Sequence, residues 1–261
     1  MNTYLDKILE IHRFAAREDS RSTDALVEKV SSVGPTRGFA QALKDGSELS
    51  VIAEIKRRSP SKGDLFADLD PTMLAAEYES AGAGCISVLT DEEFFGGSVS
   101  DLQAARAAVS VPILRKDFTV SANDVVDTRL MGADCVLLIA AALDNSEMSD
   151  LASLASELGL EVLVEVHDEA EVERAIANVE VALVGVNQRD LVTFEVDQDR
   201  AVRVAGEIPE GVVKVAESGV TGRADAEALA GAGYEAVLVG EHLVTAENPS
   251  ETLTDLRVPR N

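Results

Sequence analysis

The segment "MGADCVLLIA", residues 131–140, decides the fold. A glycine closes a helical stretch, where it can supply the left-handed cap that ends a helix. An unbroken apolar run, "CVLLIA" 135–140, follows at once. A strand with one wet face would alternate polar and apolar residues, so this run fits a strand buried on both sides, as in a parallel sheet. The same joint returns as "AGAGC" at 81–85 and "GAGYEA" at 231–236.

Working outward, β-rich runs stand at "VIAEIK" 51–56, "CISVLT" 85–90 and "VPILRKD" 111–117, ahead of 135–140. After it come "EVLVEV" 161–166, "VALVGVN" 181–187, "VVKVAES" 212–218 and "AVLVG" 236–240. Seven helical or Ala-rich stretches separate the eight runs, among them "PTMLAAEYESAGA" and "MSDLASLASELGL". Eight strand–helix repeats favour closure into an α/β fold of the (β/α)8 TIM-barrel type over an open doubly wound sheet. Residues 1–48 read as amphipathic helix, broken by "SVGPTRGF" at 32–39, and no Gly/Ser/Pro linker sets them apart. The expectation is one domain over 1–261, with 1–48 as an N-terminal helical extension packed on the barrel.

Composition narrows the function. With 47 acidic residues against 23 basic ones, the 261-residue chain carries a formal charge of −24. That excess argues against nucleic acid, which needs clustered Lys and Arg over a broad face. Only seven of the basic residues are lysine, a balance similar to that of proteins from salt-accumulating cytoplasms, where molar salt screens self-repulsion. The longest apolar run, 135–143, is far short of a membrane span, and no signal peptide is apparent, so a soluble cytoplasmic protein is expected. Cys85 and Cys135 fall in apolar runs and read as buried reduced thiols. A monomer is expected ahead of a homo-oligomer.

In such barrels the C-terminal strand ends form the catalytic face, and the unusual residues of this chain collect there. Glu54 and Lys56 stand two apart in the first run, on one face. Lys116 ends the third run, Glu165 lies in the fifth, and Asn187 and Arg189 close the sixth. The seventh and eighth runs end in "ESG", with Glu217, Ser218 and Gly219, and in "VGEHL", with Gly240 and Glu241. Loops after strands 7 and 8 commonly hold phosphate through backbone N–H groups, and Gly219 and Gly240 would let the backbone approach an anion. Inward Lys and Glu in a crowded, partly dry mouth perturb one another's titration, which acid–base chemistry exploits. His12, His167 and His242 read as bystanders, and no His/Cys/Asp spacing suggests a metal site.

These motifs carry a resemblance. The chain resembles the indole-3-glycerol-phosphate synthase family over essentially its full length, through "IAEIKRRSPSKG", "SVLTDEEFFGGSVSDL", "PILRKDF", "GADCVLLIA", "LVEVHD", "GVNQRDL", "KVAESGV" and "VLVG". The resemblance implies a carbon–carbon carboxy-lyase of tryptophan biosynthesis, without cofactor or metal. Its substrate is a small anion, 1-(2-carboxyphenylamino)-1-deoxyribulose 5-phosphate, converted to indole-3-glycerol phosphate, carbon dioxide and water.

By motif, Lys116 looks like the general acid at the substrate ketone and Glu165 like its acid/base partner. Lys56 would meet the substrate carboxylate or act as a second acid. Glu54, Asn187 and Arg189 would orient the substrate and hold the lysines charged. Ser218, Gly219, Gly240 and the Glu241 amide would bind phosphate, helped by Ser59. Phe95, Phe118, Leu137 and Leu191 resemble the apolar wall around the aromatic ring. Where some members have Ser, this chain has Glu241, whose carboxylate must turn away from the phosphate.

Two rivals stay in view: another phosphate-binding barrel such as phosphoribosylanthranilate isomerase, and a catalytically silent barrel. The first expects a cysteine base on strand 1, where this chain has Glu54 and Lys56. Against a −24 protein, long-range steering would oppose an anionic substrate, so local cations must outweigh the surroundings at contact range. Lys56, Arg57, Arg58 and Lys62 crowd seven positions for that reason. The latter three either touch substrate, cover the phosphate or pair with the acidic surface.

Overall fold

A computed structural model describes residues 3–60, 62–190 and 192–260. Eight strands close a parallel barrel: β1 (Ser50–Ile55), β2 (Cys85–Leu89), β3 (Ile113–Lys116), β4 (Cys135–Ile139), β5 (Glu161–Val166), β6 (Leu183–Asn187), β7 (Val213–Glu217) and β8 (Ala236–Val239). Closure comes from β8 against β1, with Ser50 beside Ala236 and Ala53 beside Val239. Each strand lies within two residues of its sequence-based run. Gly132 takes φ 93° between helix and strand, the left-handed turn that "MGADC" predicted, and Gly82 and Gly233 do the same.

Three helices precede the barrel: α1 (Tyr4–Glu18), α2 (Thr23–Val30) and α3 (Phe39–Lys44). They serve opposite ends of it. Phe39 and Leu43 of α3 are fully buried, and α3 packs on β1, β2 and β7. The approach to α3 is fixed by Asp134, fully buried just before β4, which accepts from the backbone N–H of Arg37 (2.7 Å) and of Ile113 (2.8 Å) and pairs with Arg106. α1 instead reaches the loops beyond the strand C-termini. There Tyr4 packs edge-on against Phe94 and Phe194, with ring centroids 5.6 and 5.1 Å apart.

The barrel helices are α4 (Pro71–Ser80), α5 (Glu92–Phe95), α6 (Val99–Ala108), α7 (Ala122–Leu130), α8 (Asn145–Glu157), α9 (Glu169–Asn178), α10 (Arg200–Val204), α11 (Arg223–Gly231), α12 (Glu241–Val244) and α13 (Pro249–Leu256). Several starts are capped by polar side chains that accept otherwise unpaired backbone N–H groups, as at Asp70, Ser121 and Asp168. One element was not foreseen: a two-stranded antiparallel ribbon pairs Arg58–Ser59 with Gly63–Asp64 just past β1. It folds the basic segment back over the barrel mouth. Among the described residues no helix is long and apolar enough to cross a membrane. Both cysteines are buried and unpaired, and burial pushes their thiols up, so the thiolate form is suppressed.

Candidate active site

The C-terminal strand ends surround a cavity of about 800 Å³. Its floor is built from the last polar residue of each contributing strand. Lys116, ending β3, places Nζ 2.8 Å from Glu165 on β5 and 3.5 Å from Glu217 at the end of β7. Asn187, ending β6, donates Nδ2–H to the other Glu165 oxygen at 3.0 Å. Glu54, on β1, meets Lys56 at 2.5 Å, as two residues on one face of a strand should. Glu54, Glu165, Asn187 and Glu217 are all buried.

Carboxylates can crowd here because two positions, Gly185 in β6 and Gly240 just past β8, lack side chains. A Cβ on Gly185 would run into the Glu217 carboxyl, and one on Gly240 would run into Glu54. Glycine at these positions is a packing requirement, set by close approach rather than by turn geometry.

The electrostatics split the two inner carboxyls. Burial works against both charges. At Glu165 it is overcome by Lys116, with help from His167 and the Lys116 and Asn187 hydrogen bonds, and the group is pulled down to about 2. At Glu217 burial and the charge on Glu165 prevail over Lys116, and the group is pushed up to about 8. Lys116 is disfavoured as a cation by burial, yet Glu165, Glu217 and Glu54 together raise it well above the ordinary lysine range. The floor therefore favours charge on Lys116 and Glu165 and disfavours it on Glu217.

Toward the rim, Ser218 sits at φ 63° and Gly219 at φ 73°, a left-handed pair that turns the chain sharply after β7. Gln188 donates to the Ser218 carbonyl at 2.7 Å and Gln198 to that of Gly219 at 3.0 Å, fixing the turn. Phe95 and Phe118 stand 6.2 Å apart between ring centroids and line the opposite wall with Leu137.

The family model described as indole-3-glycerol phosphate synthase matches residues 5–256. The chain belongs to the indole-3-glycerol phosphate synthase family. "Indole-3-glycerol phosphate synthase 1" of Streptomyces coelicolor is 49% identical over 254 residues, 97% of this chain and 94% of that one. The indole-3-glycerol phosphate synthase of Polaromonas naphthalenivorans is 44% identical over 261 residues, covering 98% of this chain and 99% of that one. The solved structure of a thiamine phosphate pyrophosphorylase from Pyrococcus furiosus covers 84% of this chain and 96% of its own at a TM-score of 0.60. At 14% identity that likeness shows the barrel fold alone.

Within this synthase barrel, every described residue named from the sequence as a site residue lines the one cavity: Glu54, Lys56, Ser59, Phe95, Lys116, Phe118, Leu137, Glu165, Asn187, Arg189, Ser218, Gly219, Gly240 and Glu241. Leu191 lies outside the described residues. The cations at the cavity each have a carboxylate neighbour: Lys56 has Glu54, Lys116 has Glu165, Lys62 has Glu241 at 2.6 Å, and Arg189 lies 3.9 Å from Glu241. Arg57 and Arg58 do not line the cavity: Arg57 pairs with Asp101 at 2.9 Å, one of the roles the sequence left open to it, and Arg58 donates to the Phe94 carbonyl. Arg189 does not hold a lysine charged, being itself a cation that donates to the Phe194 carbonyl and lies 3.9 Å from Glu241; Asn187 acts on Glu165 instead.

The Glu241 carboxylate turns toward Lys62 and stays at the rim. Sequence reasoning missed Glu217 as a partner of Lys116, although "KVAES" ends its strand as "LVEV" does. It also passed over two histidines. His12 of α1 lies 3.0 Å from Asp91 and 4.0 Å from Asp117 at the mouth. These three offer metal-type atoms within 4.8 Å of one another, but Asp91 already caps α5 and Asp117 already pairs with Arg115 and accepts from Thr90. The cluster fastens the N-terminal helix across the opening.

Proposed function

We propose that this cavity closes the indole ring of 1-(2-carboxyphenylamino)-1-deoxyribulose 5-phosphate with Lys116 as proton donor and Glu165 as its acid/base partner. The observation that carries the reading is the Lys116 ammonium held between Glu165 and Glu217 on the cavity floor.

The chemistry has three stages. The ring carbon bearing the carboxylate attacks the ketone carbon while Lys116 delivers a proton to the ketone oxygen, which becomes a hydroxyl. The carbon–carboxylate bond then breaks, releasing carbon dioxide and returning its electron pair to the ring. Finally the hydroxyl leaves as water, taking a second proton from the Lys56 ammonium, while Glu165 removes one from the carbon beside nitrogen to complete the indole double bond. The first and last stages need an acid and a base in one place without mutual quenching. A cationic lysine beside an ionised Glu165 and a protonated Glu217 meets that need.

Phe95, Phe118 and Leu137 would flank the aromatic ring, and Lys56 would face its carboxylate. The phosphate would lie on the opposite rim, against the backbone of Ser218, Gly219, Gly240 and Glu241, with Arg189 and Lys62 within reach. Ser59, from the ribbon over the mouth, would add to that end.

The test is appearance of indole fluorescence from this substrate with the native sequence and with Glu165→Gln. The native chain should form product, and the variant should be slower by about 10²-fold, a typical general acid–base contribution. Tight substrate binding with no product from the native chain would contradict the proposal.

A further inference from the structure

His167 stands two residues past Glu165, on the same side of β5 but just beyond its end. Both of its ring nitrogens face carboxylates. Nδ1 lies 3.1 Å from Glu171 Oε2 in the first turn of α9, and that same oxygen accepts the His167 backbone N–H at 2.8 Å. Nε2 lies 3.7 Å from Glu165 Oε1, and it is buried with no hydrogen-bond partner. A buried polar atom without a partner is costly, and here it is aimed at the carboxylate on the cavity floor.

We infer that His167 is a positioning residue for Glu165, its imidazolium held by Glu171 on one side and presented to the Glu165 carboxylate on the other. This rests on the acid/base role proposed for Glu165. The Nδ1 contact to the Glu171 carboxylate orients the ring, so Nδ1 carries a proton in either state of the ring. A second proton on Nε2 makes the ring cationic and points an N–H at Glu165. That cation favours the ionised carboxylate required at the dehydration stage, and its loss weakens the hold on Glu165.

The charged groups around the pair set the direction. Facing His167 are Glu165 from β5, Glu171 from α9 and Arg200 from α10; burial and Arg200 oppose its charge, the two carboxylates favour it, and the net effect is upward. Facing Glu165 from other strands are Lys116 of β3, Asn187 of β6 and Glu217 of β7. Glu165, Lys116 and Glu217 line the substrate cavity, whereas His167, Glu171 and Arg200 do not. Position 167 is therefore able to vary the state of Glu165 without touching substrate.

The experiment is a pair of titrations on the intact chain. With only three histidines, the imidazole signals of His12, His167 and His242 can be assigned by nuclear magnetic resonance. The His167 midpoint should lie above the ordinary histidine value and fall by about one pH unit in both Glu165→Gln and Glu171→Gln, since each removes an opposite charge at short range. A midpoint that ignores Glu165→Gln overturns the inference. In parallel, kcat of the native chain should step down about threefold or more as pH rises through that midpoint. His167→Gln should lack the step and follow the lower plateau. His167→Lys, which keeps the charge, should follow the upper one and guards against a folding defect in the amide variant. A step that persists in His167→Gln overturns the inference. Coupled midpoints with Glu165→Gln fully active would instead contradict the role of Glu165 and leave His167 merely an electrostatic neighbour.

Discussion

The Lys62 ammonium lies 2.6 Å from the Glu241 carboxylate, across the rim where the substrate phosphate is expected. The pair answers why an acidic protein concentrates cations after β1: there, an internal carboxylate occupies a cation until the substrate arrives. A phosphate entering this rim meets a fixed negative charge at Glu241 and must draw Lys62 and Arg189 away from it.

Replacing Glu241 with serine should therefore strengthen substrate binding. KM should fall roughly threefold, an order-of-magnitude effect for one partly exposed charge near another, while kcat stays within about twofold. The gain should shrink in molar salt. Steady-state kinetics at low and high KCl would show it, and a raised KM would place the phosphate elsewhere.

Glu217 makes a statement about pH and stability. Its ordinary value is 4.5 and the fold raises it to about 8, so the native state holds a proton that the unfolded chain has released across that window. Stability from this group is full below about 4.5, drains away as pH rises, and is gone above about 8. Glu217→Gln removes the charge, so its melting temperature should match the native chain near pH 4.5 and exceed it at pH 9. Parallel melting curves across that range would contradict the protonated state.

At the opposite end of the barrel, Asp134 holds the chain before α3 and the start of β3 together. Asp134→Ala leaves Arg106, the buried Ile113 N–H and the half-buried Arg37 N–H without their acceptor and should cost about 3 kcal/mol of stability. The fraction that stays folded should keep its kcat, because nothing at that end faces the cavity. Denaturant unfolding alongside turnover per folded molecule separates the two effects.

The charge of −24 remains a global term. If the surface is built for a salt-rich interior, the melting temperature should rise between low salt and molar KCl, where the screening length falls to about 3 Å. Indifference to KCl would remove that reading.

The eight strands were legible because burial on both faces leaves little room for polar residues, and the joints at Gly82, Gly132 and Gly233 mark where each helix stops. Period two placed Glu54 and Lys56 on one face before any coordinates. Across the barrel the signal fails. Sequence spacing says which residues share a strand face, but which of Lys116, Glu165 and Glu217 touch depends on stagger between strands and on the missing side chains at Gly185 and Gly240. His167 was legible in principle, two residues from Glu165, yet its value depends on Glu171 reaching back from α9. The ribbon at Arg58–Ser59 and Gly63–Asp64 was hidden because four residues carry no periodicity.

Everything chemical follows from one proton on one lysine, held where the ketone oxygen must lie. Turnover of Lys116→Met, measured as indole fluorescence under saturating substrate beside a melting curve, tests it most directly. The expected result is an unchanged melting transition or a modest shift, with kcat down by about 10²-fold or more. Near-native kcat in that folded variant would mean the proton comes from another group.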